Sequence, residues 1–322
     1  MRLKLTAQED AIITYGGQAV IEGVMMRGRS AFAIAMRAPD GSIKVHTEPL
    51  GSLYRSRVAS IPFLRGVLLL WDALGLGMRA LTISANTQTG EGQKLEGPAL
   101  YLTLAASLSL GVGLFFVIPA LLGGIVEHAL LPPSLSAGSG TLAVEGLAAA
   151  GASLLPWAGN LIEGGTRLLF LIGYIWAIGF MPEIKRLFGY HGAEHKTINA
   201  FEAGAELTPA SVAAFPVEHA RCGTAFLLTL VLISIVLFTA MGPMSMLWRI
   251  ISRVLLIPVL AGIALEYIRW TARNLDKPMV RWLIIPNLAL QRLTTRVPDD
   301  EMLEVAIRAF QSMRAAETAR AG

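Results

Sequence analysis

The sequence predicts a mainly α-helical, polytopic membrane protein of about four spans. A small β-containing region is expected at its N-terminal end and a cytoplasmic helix at its C-terminal end. Three observations carry this reading. Of its 322 residues, 54% are hydrophobic and only 16% charged, and the mean hydropathy is +0.56, as expected of a chain that lies largely in lipid. Uncharged stretches recur at lengths suited to spanning helices. Lys and Arg crowd into some connecting segments and are absent from others.

Residues 1–96 read as a cytoplasmic or interfacial region. The glycine-rich run Tyr15–Gly28 reads as a tight turn with a closely packed strand. In the alternative reading it is a substrate-facing loop, with Gln18, Glu22 and Arg27 offering polar groups to a neighbouring site. Ser30–Arg37 and Ser42–Glu48 flank Pro39-Asp40-Gly41, a turn signature between β-compatible runs, which predicts a hairpin. Val58–Ile83 is apolar but broken by Arg65, Asp72 and Arg79, so an amphipathic helix lying on the membrane is expected. Arg55 and Arg57 beside it suit contact with anionic lipid.

Residues 97–268 read as the membrane domain. Gly97 to Val126 holds no charged residue, and at about 1.5 Å per residue it exceeds a bilayer core of about 30 Å. A second span is expected at Leu161–Met181, with Glu163 and Arg167 near one end, where Arg167 can snorkel. The third is Ala225–Ala240, followed by a turn at Met241-Gly242-Pro243. The fourth runs from about Met244 to Ile268, with Arg249 and Arg253 near its start. Spans read this way have no central ionisable residue, which argues against a coupled transporter.

Residues 269–322 form a C-terminal helical region. Pro278–Leu290 suits an interfacial or re-entrant segment. After Pro298, Asp299-Asp300-Glu301 precede Leu303, Ala306, Ile307 and Phe310 at helical spacing, the pattern of a capped helix. The N-terminal region, the 182–224 loop and the tail are basic, whereas the segment from Glu127 to Glu163 has no Lys or Arg. Both termini and the 182–224 loop are therefore expected in the cytoplasm, on a bacterial inner membrane. No cleavable signal peptide is evident. One cysteine leaves no internal disulfide, and a net charge of +4 gives no reason to expect nucleic acid. The expected partners are the lipid bilayer and an unknown substrate, with homo-oligomerisation left open.

Function is read from residues 191–222, which hold three of the five histidines and the only cysteine. Pro182–Ala203 reads as a helix stopped by Gly204. On it His191 and His195, four apart, share a face and can clasp one ion. Thr208 and Pro209 open a short helix, and His219 and Cys222 follow, three apart. His191, His195, His219 and Cys222 are the candidate metal ligands. Zinc suits that donor set best, and another divalent ion stays open. Glu194 is the candidate general base, because His191-x-x-Glu194-His195 is the inverted zincin order. Asn199 and Glu202 continue the same helical stripe and could support the ligands. A hydrogen-bonded polar cluster without metal is the competing reading.

Two segments carry a family resemblance: Gly16-Gly-Gln-Ala-Val-Ile-Glu-Gly-Val-Met-Met-Arg-Gly28 and His191-Gly-Ala-Glu-His-Lys-Thr-Ile-Asn-Ala-Phe-Glu-Ala-Gly204. They resemble the YqhQ-like family of bacterial membrane proteins. Arg221-Cys222-Gly223-Thr224 and the run Leu293–Glu301 are similar to its later motifs. The chain has His219-Ala220-Arg221-Cys222 where many relatives have His-Pro-Arg-Cys. The family is described as predicted metal-dependent enzymes, so the resemblance implies a metal and the bacterial inner membrane but no substrate. The resulting expectation is a zinc hydrolase acting on a peptide or lipid-linked substrate at the cytoplasmic membrane surface. The alternative is a membrane scaffold or assembly factor in which the His/Cys set is a structural metal clip.

Overall fold

The computed structural model describes residues 15–51, 64–89, 97–130, 145–220, 222–242 and 244–321. Arg55, Arg57 and residues 131–144 of the outward-assigned segment lie outside that set. The chain divides into two compact units, one of residues 1–96, 175–226 and 265–322 and the other of residues 97–174 and 227–264. The 182–224 segment, grouped with residues 97–268 from sequence, belongs with the two terminal regions.

The first unit is built on a four-stranded antiparallel sheet, β1 (Gly16–Val20), β2 (Gly23–Arg27), β3 (Ala31–Arg37) and β4 (Ile43–Pro49), in sequential order. The expected hairpin is β3–β4, paired from Arg37↔Ile43 to Ala31↔Pro49. The glycine-rich run adds two further strands, with Val20 opposite Gly23 across a two-residue turn.

Apolar side chains alternate along β2 and β3, so both sheet faces need cover. Val24, Met26, Ala33 and Ala35 pack against α5 (Pro182–Glu202) and α11 (Asp300–Ala321). Met25, Phe32, Ile34 and Met36 pack against α1 (Leu64–Thr89) through Leu76 and Ala80. The turns of α1 from Leu76 onward thus cover this face of the sheet. In α11, Leu303, Ala306, Ile307, Phe310 and Met313 are buried on one stripe, and each large one contributes about 1.5–3 kcal/mol. Its start is capped as expected, with Asp299 Oδ1 accepting the Met302 N–H at 2.8 Å.

The spanning candidates are Tyr101–Val126, Gly159–Ile178 and Gly223–Ala240. A fourth results if Met246–Leu255 and Ile257–Arg273, bent by 46°, make one broken span. They correspond to α2 (Pro98–Val112) running through a π turn (Gly113–Val117) into α3 (Ile118–Leu130), then α4 (Glu145–Ile178), α7 (Gly223–Ala240), α8 (Met246–Leu255) and α9 (Ile257–Arg273).

In the second unit the arginines do not snorkel. Arg167 and Arg253 are buried, and both bind the buried Glu163 carboxylate. Arg253 grips it from Nε at 2.8 Å and Nη2 at 2.9 Å, and Arg167 Nη2 donates at 2.8 Å. Arg253 also donates to Asn160 Oδ1, and Arg167 to Ser234 Oγ. The π turn completes the cluster. There the Ile118 N–H reaches back five residues to Gly113 O, and the Phe115 carbonyl accepts from Arg167 Nε at 2.7 Å. The ionisable residues that the sequence reading placed near the span ends are thus buried and paired. That pairing was not legible because Glu163 and Arg253 are 90 positions apart.

Removing the shared carboxylate would leave two buried guanidiniums without their counter-charge. Glu163→Ala is expected to cost about 3–5 kcal/mol, read as a lower melting temperature in detergent, whereas Glu183→Ala on exposed α5 surface should change little.

Candidate metal centre

Helix α5 ends as the sequence predicts, with Gly204 at φ 71° just beyond it. The short helix α6 (Pro209–Ala213) follows, capped by Thr208 Oγ1, which accepts the Ser211 N–H at 3.3 Å. The chain then returns past α5 to Cys222, which directly precedes α7. Asn199 Nδ2 pins this return by donating to Pro216 O at 2.9 Å and Glu218 O at 3.1 Å.

His191, His195 and Cys222 each offer one donor atom, and the three atoms lie within 4.8 Å of one another. The histidine tautomers follow from the backbone around them. His191 Nδ1 is 2.9 Å from Thr294 O, and His195 Nδ1 is 2.5 Å from Val217 O. A carbonyl can only accept, so each Nδ1 carries the proton and each Nε2 keeps its lone pair. His191 Nε2 lies 3.1 Å from Cys222 Sγ. His195 Nε2 is buried without a hydrogen-bond partner. Two imidazoles and a thiol with donor atoms this close together fit a metal ion. The Thr224 N–H and hydroxyl approach Cys222 Sγ at 3.4 and 3.1 Å, donors that a thiolate can accept.

His219 is also buried but is not one of that trio. Its ring centroid is 5.6 Å from that of His195, and its Nε2 is 3.8 Å from Glu202. Gln291, fully buried on α10 (Pro278–Thr294), clamps the His219 backbone. The Gln291 Oε1 accepts the His219 N–H at 2.9 Å, and the Gln291 Nε2 donates to its carbonyl at 2.8 Å. The turn beyond α10 is docked on α5 by the Arg296 N–H to Phe188 O bond at 2.9 Å. Gly192 permits this approach, because a Cβ there would collide with the Arg296 carbonyl.

Glu194 lies beside the cluster, 4% exposed. Burial pushes its carboxyl above the usual carboxylate range, against the opposing pull of His191, His219 and the Gly17 N–H. Its Oε2 is buried without a hydrogen-bond partner. Strand β1 reaches it directly, since a Cβ on Gly17 would come within 2.9 Å of its Cδ. Burial lowers the proton affinity of His195 and His219.

The three N-terminal candidates fall elsewhere. Gln18 packs against Gly77 of α1. Glu22 binds Arg186 at 2.5 Å through both oxygens and accepts from Tyr190 Oη at 3.3 Å. Arg27 lines a small cavity with Gly16 and Leu76. The sequence reading missed Gln291 and the carbonyls of Thr294 and Val217.

A family model described as "Protein of unknown function (DUF1385)" matches residues 61–316. The chain belongs to the DUF1385 family. It is similar to "Uncharacterized protein YqhQ" of Bacillus subtilis (strain 168), 34% identical over 315 residues, covering 93% of this chain and 92% of the relative. No solved structure matches the chain. The YqhQ-like resemblance read from the sequence is thereby shown.

Two outcomes are expected. By mass spectrometry on detergent-purified protein, His195→Ala and Cys222→Ser should lose bound metal. The metal-free chain should also lose stability as pH falls below about 6.5, where unfolded histidines take up protons that buried His195 and His219 resist. A pH series of melting temperatures checks the sign.

Proposed function

We propose that this chain is a zinc-dependent hydrolase working at the cytoplasmic surface of the bacterial inner membrane, with both termini cytoplasmic. The supporting observation is the convergence of the His191 and His195 Nε2 lone pairs with Cys222 Sγ, beside a buried carboxylate that has one unbonded oxygen. Three donors leave a coordination position open, as catalytic zinc requires. The thiol favours zinc over harder divalent ions.

Bound there, zinc would act as a Lewis acid and bring the pKa of a water to about 7. Glu194 is the neighbouring group that would accept a proton there. Burial raises its proton affinity, and its carboxyl lies close against Gly17. His219, with its Nε2 3.8 Å from Glu202, would stabilise charge beside the three donors. Asn199 and Gln291 fix the segment that carries it.

In the competing reading His219 joins as a fourth ligand and the centre is a structural clip in a scaffold or assembly factor. The Gln291 clamp fixes the His219 backbone, so that rearrangement would take place by rotation of the imidazole alone. Glu194→Gln should retain one zinc per chain while lowering turnover of a cleaved substrate by about 10²–10⁴. Full turnover with zinc retained would exclude Glu194 as the base. Zinc whose removal unfolds the chain, with no hydrolysis of peptide or lipid-linked probes, would favour the clip.

A further inference from the structure

Helix α10 has two unlike faces. Its inward stripe, Val280, Ile284, Asn287, Gln291 and Thr294, is buried. Two residues of that stripe support the candidate centre. Gln291 holds both backbone groups of His219, and Thr294 O takes the Nδ1 proton of His191. The opposite face bears Trp282, Ile285, Pro286, Ala289 and Leu293. Trp282 is 75% exposed and Ile285 48%. An apolar stripe on the outside of a packed helix calls for a partner.

Three observations point to a lipid surface as that partner. The candidate broken span ends at Arg273, and residues 274–277 lead straight into α10. Four residues reach at most about 14 Å, so α10 starts beside the end of that span. Second, exposed Arg281 and Arg292 are about three turns apart and fall on one flank of the apolar face. Arg281 Nε donates to Leu275 O at 2.9 Å, and Arg292 pairs with Glu218 at 3.2 Å. Third, Pro286 lies inside the helix and has no N–H, so the Trp282 carbonyl loses its usual helical partner. Within hydrocarbon that acceptor would be costly, but at headgroup level water reaches it.

We propose that the outer face of α10 is seated in the lipid–water interface, and that this contact steadies the metal centre. The second clause rests on the zinc reading of that centre. Trp282 sits at the headgroup level, Ile285 and Leu293 enter the acyl boundary, and the arginine flank meets lipid phosphates. Because the helix is rigid, seating its outer face fixes Gln291 and Thr294 on the inner one. The Thr294 carbonyl in turn sets how His191 points. Lipid and zinc are thereby linked, and each tightens the binding of the other.

The test uses the full-length chain labelled with fluorotryptophan, in nanodiscs of phosphatidylglycerol and phosphatidylcholine. Trp282→Phe assigns the Trp282 fluorine resonance by its loss. A lipid with a nitroxide near the headgroup should broaden that resonance more than one with the nitroxide at the acyl-chain end. The reverse order would put the helix deep in the bilayer and overturn the interfacial seat. Broadening only by a water-soluble gadolinium chelate, or by no probe, as beneath a second copy, overturns lipid docking. Ile285→Glu charges the seated face without touching the buried stripe. In nanodiscs it should weaken zinc affinity about tenfold by chelator competition, with the other fluorine resonances unmoved. Val45→Glu, at an exposed position on β4, should leave that affinity unaltered. Equal weakening in Val45→Glu, or none in Ile285→Glu, overturns the coupling. A wild-type chain that holds no zinc removes the hydrolase reading, while the fluorine resonance still decides the docking.

Discussion

The candidate centre depends on two hydrogen bonds to backbone carbonyls. Thr294 O and Val217 O each take the Nδ1 proton of a histidine, and that fixes which ring nitrogen keeps its lone pair. Without them the imidazoles could rotate or exchange tautomers, and the spacing of His191 and His195 on α5 would mean little. Side-chain identity supplies the donors; the path of the backbone aims them. Asn199, Gln291 and the Arg296 N–H bond all serve that path, since each ties a returning segment to its place near α5.

A second constraint acts in the other unit. The Arg167 and Arg253 guanidiniums and the Glu163 carboxylate are buried there within apolar helices, where an unpaired charge would be prohibitive. Asn160, Ser234 and the Phe115 carbonyl satisfy further donors. The Arg253 and Arg167 guanidiniums also lie over the Phe238 ring, at 4.2 and 5.2 Å. Such a network fixes helix register by geometry more than it adds net stability.

What the sequence disclosed follows a physical division. Local features were legible: α5 with its Gly204 stop, the Thr208 cap, the Asp299 cap, the β3–β4 hairpin and the uncharged spans. Each is written in residues a few positions apart. The His/Cys grouping was legible as well, because ligand-type side chains stand out in an apolar chain. The support of the site was not, since a carbonyl at Thr294 or Val217 leaves no trace in residue type. Strands β1 and β2 were obscured for another reason. Val24, Met25 and Met26 are buried on alternate faces, so the polar alternation that marks a half-exposed strand is missing. Arg167 and Arg253 misled because snorkelling and pairing look alike until distant partners are in view.

The first unit is assembled from both ends of the chain. Residues 15–49 form its sheet, yet one face of that sheet is covered by Leu303, Ile307, Phe310 and Met313, which are synthesised long after it. The same delay governs the centre, whose donors lie at 191–222 but whose His191 is oriented by Thr294. During synthesis the strands wait with Val24, Met26, Ala33 and Ala35 uncovered until α11 emerges. Closure of that sheet face, like the orientation of the His191 ring, is therefore a long-range event that local folding of the first strands cannot complete.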